Sequence, residues 1–581
     1  MNETTEIRNG LCVSWNVPIP ARDGTILRAD IFRPADGGRC PALLSYGPYA
    51  KGLAFQDGYP AQWESLIRDY PEVARDTTTE LAVWETPDPE RWVPFGYAIV
   101  RVDSRGAGQS PGMIDPWSTD ESKDLYDCIE WAAAQAWCTG RVGLAGVSYY
   151  AMNQWTVAAM QPPHLAAICP FEGASDLYRD GIRHGGILST FLQRWFPVQV
   201  LHVQNGLGSR APISRMTGTG IAGDVDLSDE ELSARRVDIA QLVQEAVFEN
   251  EYTESRTADL SKITVPLLSC GNWGGQGMHL RGNVEGFLGA GSNQKWLELH
   301  GREHWTEFYT DYGVALQRQF FDHFLKGADN GWDKRPPVLL QVRHVDGFVE
   351  REEAEWPIAR TRWTDFHLDA SRLSLSRTAL DTEASIGFQA LSESVTFWSD
   401  PFEEDTEITG PLAAKLFAAS TTTDADIFLA LRLYDPDRKE VLFVGATDPN
   451  CPLSLGWLRA SHRKLDAQRS LPYRPFHPHD RAEPLEPGAR YELDIEIWPT
   501  SIVVPKGFMV AVTISGTDYH HDLPEPWPQV YGVPLRGVSV MTHDDPVDRP
   551  AAIFGGVTTI FTGGASRSAI AVPIVPPKGE R

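Results

Sequence analysis

In Val142-Gly-Leu-Ala-Gly146-Val-Ser148-Tyr149-Tyr150 a serine ends a short apolar run, with a glycine two positions before it and a helical pattern over residues 153–160 after it. So tight a strand-to-helix turn strains the serine backbone and pushes its Oγ clear of the sheet, which makes it a candidate nucleophile. Gly146 leaves room for the neighbouring helix; at +2, where the general pattern has a second glycine, stands Tyr150. A serine hydroxyl needs a base. In this topology the base follows the last sheet strand, in chain order serine, acid, histidine. The apolar run at 296–299 leads into His300-Gly-Arg-Glu-His304-Trp305, and His304, in the loop beyond it, is the expected base. His300, nearer the strand, reads as structural. The plainer alternatives are a turn serine and a histidine packed among aromatics.

Other chemistries fit the chain poorly. His300 to His304 spells H-x-x-E-H, but a zinc site of that form needs a helix that puts both histidines on one face, and here a strand precedes and Gly301 interrupts. His520-His521 lacks spaced partners. Gly106-x-Gly108 follows a strand, yet Gln109-Ser-Pro111 replaces the helix start a dinucleotide loop requires. No metal and no organic cofactor is therefore expected. The 581 residues carry 52 Lys and Arg against 78 Asp and Glu, a formal charge of −26 that repels phosphate backbones and argues against a nucleic-acid partner. No run of 18 apolar residues exists, so no membrane helix is expected. Residues 1–10 lack a basic segment followed by an apolar one, so no secretory signal is expected. Seven scattered cysteines without a C-x-x-C pair suit free thiols in a reducing cytoplasm.

Elements that could position Ser148 and His304 are legible in the first half. Strand-like runs at 26–32, 41–45, 97–102, 141–145 and 165–170 alternate with helical patterns. The clearest helix begins at Ser118-x-x-Glu121, a capping box, and continues with Leu125, Cys128, Ile129, Ala132 and Ala133 on one face until Gly140. Such alternation predicts an α/β domain with a mostly parallel sheet. Residues 175–260 read as a polar helical insertion, after which strands resume at 265–270 and 295–300 and an aromatic helix spans 315–325. Beyond residue 335 short alternating stretches separated by Pro, Gly, Asp and Asn predict a β-sandwich or jelly roll. The expected domains are 1–174 and 261–335 for the α/β core, 175–260 for a helical cap, and 336–581 for the β domain.

Asp103-Ser-Arg-Gly-Ala-Gly-Gln-Ser110, the Gly146-Val-Ser-Tyr149 elbow, the His304 loop, Phe320-Phe-Asp-His-Phe-Leu-Lys-Gly327 and the opening Arg22-Asp-Gly-Thr-Ile-Leu-Arg-Ala-Asp-Ile-Phe-Arg-Pro34 together resemble the CocE/NonD group of serine hydrolases, which includes cocaine esterase, α-amino-acid ester hydrolases, glutaryl acylases and X-Pro dipeptidyl-peptidases. The resemblance runs along nearly the whole chain. It implies an α/β-hydrolase domain with an inserted helical cap and a C-terminal jelly roll. It also implies an oxyanion hole: Gly47-Pro-Tyr49-Ala-Lys51 is similar to the group's N-P-Y-x-K loop, whose tyrosine hydroxyl donates to the oxyanion. The second donor would be the backbone N–H of Tyr149. The group's acid is an Asp after a G-W-x-D turn, and here Gly271-Asn-Trp273-Gly-Gly-Gln276-Gly277 has no carboxylate. Three explanations compete: Glu172, just past Cys169-Pro170 at a neighbouring strand end; Glu285, on the helix after Trp273; or no acid at all. Glu172 is favoured, because strand ends share one rim and the acid's distance to the imidazole matters more than its place in the chain.

The function expected is hydrolysis of carboxylic esters or amides through an acyl-enzyme, with a small-molecule substrate as the only partner and the oligomeric state open, a homo-oligomer included. One alternative is a peptidase or acylase reading a free α-amine, which would need pocket carboxylates that the helical insertion could supply. A second, motivated by the missing Asp, is an inactive ligand-binding protein.

Overall fold

The computed structural model describes residues 3–579; the outermost two positions at each end of the expected domain ranges lie outside them. Eleven strands form the first sheet, in the order β1 (Thr4–Arg8), β2 (Leu11–Pro20), β3 (Ile26–Pro34), then β5 (Ala98–Asp103) before β4 (Cys40–Gly47), then β6 (Cys138–Val147), β7 (Leu165–Phe171), β10 (Leu267–Asn272), β11 (Lys295–His300), β12 (Val338–His344) and β13 (Gly347–Glu353). From β5 to β12 every pairing is parallel, and antiparallel strands flank the run at both ends. These central strands are buried on both faces, which is why they read as apolar runs rather than alternating ones. The chain order reverses at β5-β4-β6, and in such sheets sites gather at the carboxyl ends of the strands beside the reversal.

Helices Thr119–Ala133, Tyr149–Ala159, Leu280–Gly289 and Asp311–Lys326 cover the sheet. Ser118 caps the first by accepting from the Glu121 N–H. The Glu121 carboxylate does not close the box; it turns inward to accept from the Trp117 N–H and the Tyr149 hydroxyl. Two strands beyond residue 335, β12 and β13, belong to this sheet, which therefore reaches Glu353. The limit expected at 335 falls where the helices end, but the sheet continues: β12 is buried like the strands before it, and only β13 is a largely exposed edge.

Residues 175–260 form the hairpin β8 (Arg183–His184) and β9 (Ile187–Leu188) and short helices such as Phe191–Trp195, Asp229–Ser233 and Ile239–Glu245. Longer helices are prevented by Gly206, Gly208, Gly218 and Gly223, all at positive φ, where the chain must turn. The insertion is fastened to the C-terminal part: fully buried Arg183 donates to Asp548 at 2.6 Å and to the Ala246 carbonyl at 2.6 Å, while Arg459 holds both Asp426 and Asp548.

The C-terminal strands form a mainly antiparallel sheet closed on itself as a β-barrel. From Thr406–Ser420 it passes through Tyr491–Val504, Ser454–Arg459, Asp426–Tyr434, Met509–Ser515, Ser394–Ser399, Ser374–Ser376, Arg362–Asp369 and Ala569–Ile574, and Ala571 pairs back to Ala413. Its interior is an apolar core of its own, mostly aliphatic with Phe366, Phe388, Phe397, Phe402 and Phe443 among its members. Among the described residues no helix is long and apolar enough to cross a membrane.

Candidate active site

Ser148 sits between β6 and the helix Tyr149–Ala159 with φ 58° and ψ −114°, a backbone that L-residues adopt only under constraint. Its N–H donates to the carbonyls of Phe171 and Glu172, which pins the turn to the end of β7. A Cβ on Gly146 would stand 2.4 Å from Tyr150 Cβ, and one on Gly47 2.7 Å from the Tyr150 ring. Two glycines thus make room for the tyrosine that replaces the usual second glycine of the elbow.

Each other candidate follows the carboxyl end of a strand. Tyr49 comes two residues after β4. Its phenol oxygen accepts from the Trp195 indole N–H at 3.1 Å, so the O–H is left to donate into the pocket. Burial, and then the Glu85 charge, keep that phenol protonated. The Tyr149 N–H, first in its helix, has no acceptor within the helix. Lys51 is structural: its ammonium lies between Asp30 and Asp103, and Asp103 also accepts from the Lys51 and Gln109 N–H groups. That knot accounts for the Asp103–Ser110 motif, since a Cβ on Gly108 would strike the Asp103 carboxylate at 2.3 Å.

Glu172 follows β7, itself at φ 51°, and is fully buried. Its Oε2 meets His304 Nδ1 at 2.8 Å and its Oε1 meets His300 Nε2 at 3.2 Å. His300, the last residue of β11, is also bound by Glu298 at 2.8 Å. Burial favours the neutral Glu172 acid, but the two imidazoles outweigh it and hold the carboxyl below its usual range. Glu285 lies elsewhere, in an ion pair with Arg474 of the barrel. His300 and His304 share no helix.

The second ring nitrogen of His304 does not meet Ser148. His304 Nε2 faces Glu85 Oε1 at 3.0 Å, and Ser148 Oγ instead meets His279 Nε2 at 3.2 Å. The expected direct Ser148–His304 hydrogen bond is therefore absent from this geometry, because the loop at 76–88 brings a carboxylate to the position the serine would take. Burial opposes a charge on His304, yet Glu172 and then Glu85 raise the imidazole to about 10. Burial likewise pushes the Glu85 carboxyl up to about 7. The His279 ring stacks on His304, centroids 5.0 Å apart and planes 20° from parallel.

Neither Glu85 nor His279 was foreseen. Glu85 lies in an irregular loop, at φ 60°, with nothing periodic around it. For His279 one signal existed: it follows a glycine-rich turn at the carboxyl end of β10, on the same rim as the rest. Ser148, Tyr49, Glu85, His279 and His304 line one cavity of about 50 Å³ with Trp84, Trp195 and Trp305, and the barrel closes it with Ala446, Thr447, Tyr531 and Met541.

A strained serine at the rim of a doubly wound sheet, in one cavity with an imidazole held by a buried carboxylate, suits a serine hydrolase acting on esters or amides. Comparison with known proteins agrees. Residues 23–306 match the X-Pro dipeptidyl-peptidase (S15) family and residues 330–568 the X-Pro dipeptidyl-peptidase C-terminal non-catalytic domain. A putative serine esterase of Mycobacterium bovis is 25% identical, across 87% of this chain and 90% of that protein. The cocaine esterase of Rhodococcus is 26% identical, across 87% and 91%. The crystal structure of a CocE/NonD family hydrolase from Staphylococcus aureus superposes with a TM-score of 0.83 at 30% identity, over 97% of this chain and 94% of that one. The chain belongs to the CocE/NonD family of hydrolases.

Proposed function

We propose that the protein is an acyl esterase in which Ser148 is the nucleophile, His304 the base and Glu172 the acid, with Tyr49 and the Tyr149 N–H binding the oxyanion. The observation that carries this reading is the 2.8 Å bond from Glu172 to His304 in the pocket of the strained Ser148. Ser148 Oγ attacks the carbonyl carbon while His304 Nε2 takes its proton, and the negative charge moves to the carbonyl oxygen. Collapse breaks the bond to the leaving group, which takes the proton from His304. Water then repeats the sequence on the acyl-enzyme and regenerates Ser148. Glu172 holds the ring and stabilises its cation. Before the first step, His304 Nε2 must exchange Glu85 for Ser148.

This chemistry calls on no metal and no organic cofactor, and the partner is a small ester or amide, with nucleic acid and membrane left out. Seven free, buried cysteines support a reducing, cytoplasmic setting. The helical-cap role of 175–260, the domain limits at 174 and 260, and a jelly-roll winding of the barrel are part of the same proposal, with the limit expected at 335 moved past the sheet's last strand at Glu353.

Ser148→Ala is expected to abolish hydrolysis of p-nitrophenyl acetate and labelling by a fluorophosphonate with the fold unchanged. Labelling of another serine in that variant would end the assignment, and a wild-type protein inert to both reagents would favour a binding role.

One observation favours a second reading, an amidase that recognises a free α-amine. Glu85 puts a carboxylate in the pocket, and its Oε2 is buried without a hydrogen bond of ordinary geometry, the Trp84 indole being the donor on that side. The insertion's own residues there, Phe191, Trp195 and Gln199, bring no carboxylate. Faster turnover of alanyl-prolyl p-nitroanilide than of p-nitrophenyl acetate would select this reading.

A further inference from the structure

We infer that His279 is a second catalytic histidine, a neutral hydrogen-bond donor to Ser148 Oγ rather than a base. The inference rests on Ser148 being the nucleophile and concerns the imidazole that touches it.

The tautomer follows from the contacts. The Ala174 backbone N–H donates to His279 Nδ1 at 3.3 Å, so the ring's lone pair is on Nδ1. A neutral imidazole that accepts at Nδ1 carries its hydrogen on Nε2. The 3.2 Å contact from Nε2 to Ser148 Oγ is therefore a donation to the serine oxygen. With its lone pair turned away from Ser148, this ring cannot take the serine's proton.

Its surroundings keep it neutral. The ring is 1% exposed and stacks on His304, which Glu172 and Glu85 hold as a cation. A second cation on a parallel ring 5.0 Å away is unfavourable in a low-dielectric site. Burial and then the His304 charge accordingly hold His279 well below the ordinary histidine range.

The turn that delivers the ring is rigid. Gln276 donates to the Trp273 and Pro499 carbonyls and accepts from the Leu455 N–H, and the Ala446 N–H donates to the Gly274 carbonyl at 2.9 Å. The turn after Trp273 has no carboxylate to offer His304; it presents an imidazole to Ser148 instead.

A donor at Oγ acts twice in the cycle. While His304 removes the Ser148 proton, charge grows on Oγ before the bond to carbon is complete. When the acyl-enzyme breaks down, the bond from Oγ to the acyl carbon cleaves, and Oγ again carries charge until His304 returns the proton. The His279 N–H faces that charge in both steps and keeps its own hydrogen throughout. Its donation also occupies one Oγ lone pair and leaves the serine O–H to point at the base.

The test compares His279→Phe, which keeps a ring and removes the donor, with His279→Gln, which keeps an N–H. With p-nitrophenyl acetate, kcat is expected to fall about 10²–10³-fold in the phenylalanine variant, the usual loss for one donor at a developing charge. The glutamine variant should stay within about tenfold of wild type by the same argument, with the acid limb of its pH profile unmoved. Wild-type kcat in the phenylalanine variant would overturn the inference. So would a glutamine variant as inactive as Ser148→Ala, the result for a base. Folding of a variant is not essential: in 15N-histidine-labelled wild-type enzyme, NMR should find His279 protonated on Nε2 alone at pH 7, and an Nδ1–H or doubly protonated ring would refute the assignment. Full activity in His304→Gln would instead overturn the underlying choice of His304 as base.

Discussion

Two carboxylates grip one imidazole in this site, and in the proposed mechanism their effects on catalysis are opposite. Glu172 sits on Nδ1, away from the serine, where it orients the ring and stabilises its cation. Glu85 sits on Nε2, the nitrogen that must accept the proton. Both raise His304, so the proposed base is protonated over a range where an ordinary histidine is free. Since only the unprotonated ring can act, wild-type kcat/KM should rise with pH through and beyond neutrality. Glu85→Gln removes one of the two charges, lowers the His304 value and should move that acid limb to lower pH. The groups facing His304 are Glu172, Glu85 and the neutral His279 ring, so no other charge replaces the lost one. Glu172→Gln should also lower the His304 value and move the limb, and should in addition depress kcat across the whole profile, by about 10²–10⁴-fold. A pH–rate series for the two variants checks both, and an unmoved limb in Glu85→Gln would show that Glu85 leaves Nε2 before the rate-limiting step.

At the level of elements, the strands were readable because a parallel sheet buried on both faces leaves apolar runs. Ser148, Glu172 and His304 were readable because each follows such a run. What stayed hidden depends on chain that has no period. The segment between β4 and β5 returns Glu85 to the rim from an irregular loop, and the turn after β10 places His279 through contacts with the barrel, which no local pattern encodes. The same holds for the cover of the pocket. The short hairpin Gln529–Val530 and Val533–Pro534 carries Tyr531 at its tip, at φ 51°, against Phe191 across the cavity. At about 50 Å³ the enclosed space is well below the roughly 300–1,000 Å³ of a pocket that surrounds a ligand. Tyr531→Ala should therefore widen acyl acceptance, raising kcat/KM for a p-nitrophenyl ester of a branched or aromatic acid about tenfold relative to the acetate. Equal effects on both esters would show that this side chain does not bound the acyl site.

Across the whole molecule, the insertion, the α/β sheet and the barrel are joined both by a shared apolar cluster, with Ile187, Trp273, Leu299, Trp457 and Trp498 among its members, and by buried polar contacts. Arg183 is one of the polar joints, serving Asp548 and the carbonyls of Ala246, Gly186 and Gln244 at once. Arg183→Met leaves those acceptors buried without it and should cost about 3 kcal/mol. The loss should appear as faster hydrogen exchange and earlier proteolysis within residues 183–260, with the barrel strands still protected. A further joint bears on the proposed base: the His304 N–H donates to the Ala446 carbonyl at 2.9 Å, and the Ala446 N–H donates to the Gly274 carbonyl. Synthesis runs from the amino terminus, so Ser148, His279 and His304 leave the ribosome well before residues 446 and 531–541, which brace the base loop and close the pocket. A nascent chain that has already folded its sheet still lacks one wall of this pocket, which is complete only once synthesis has passed residue 541.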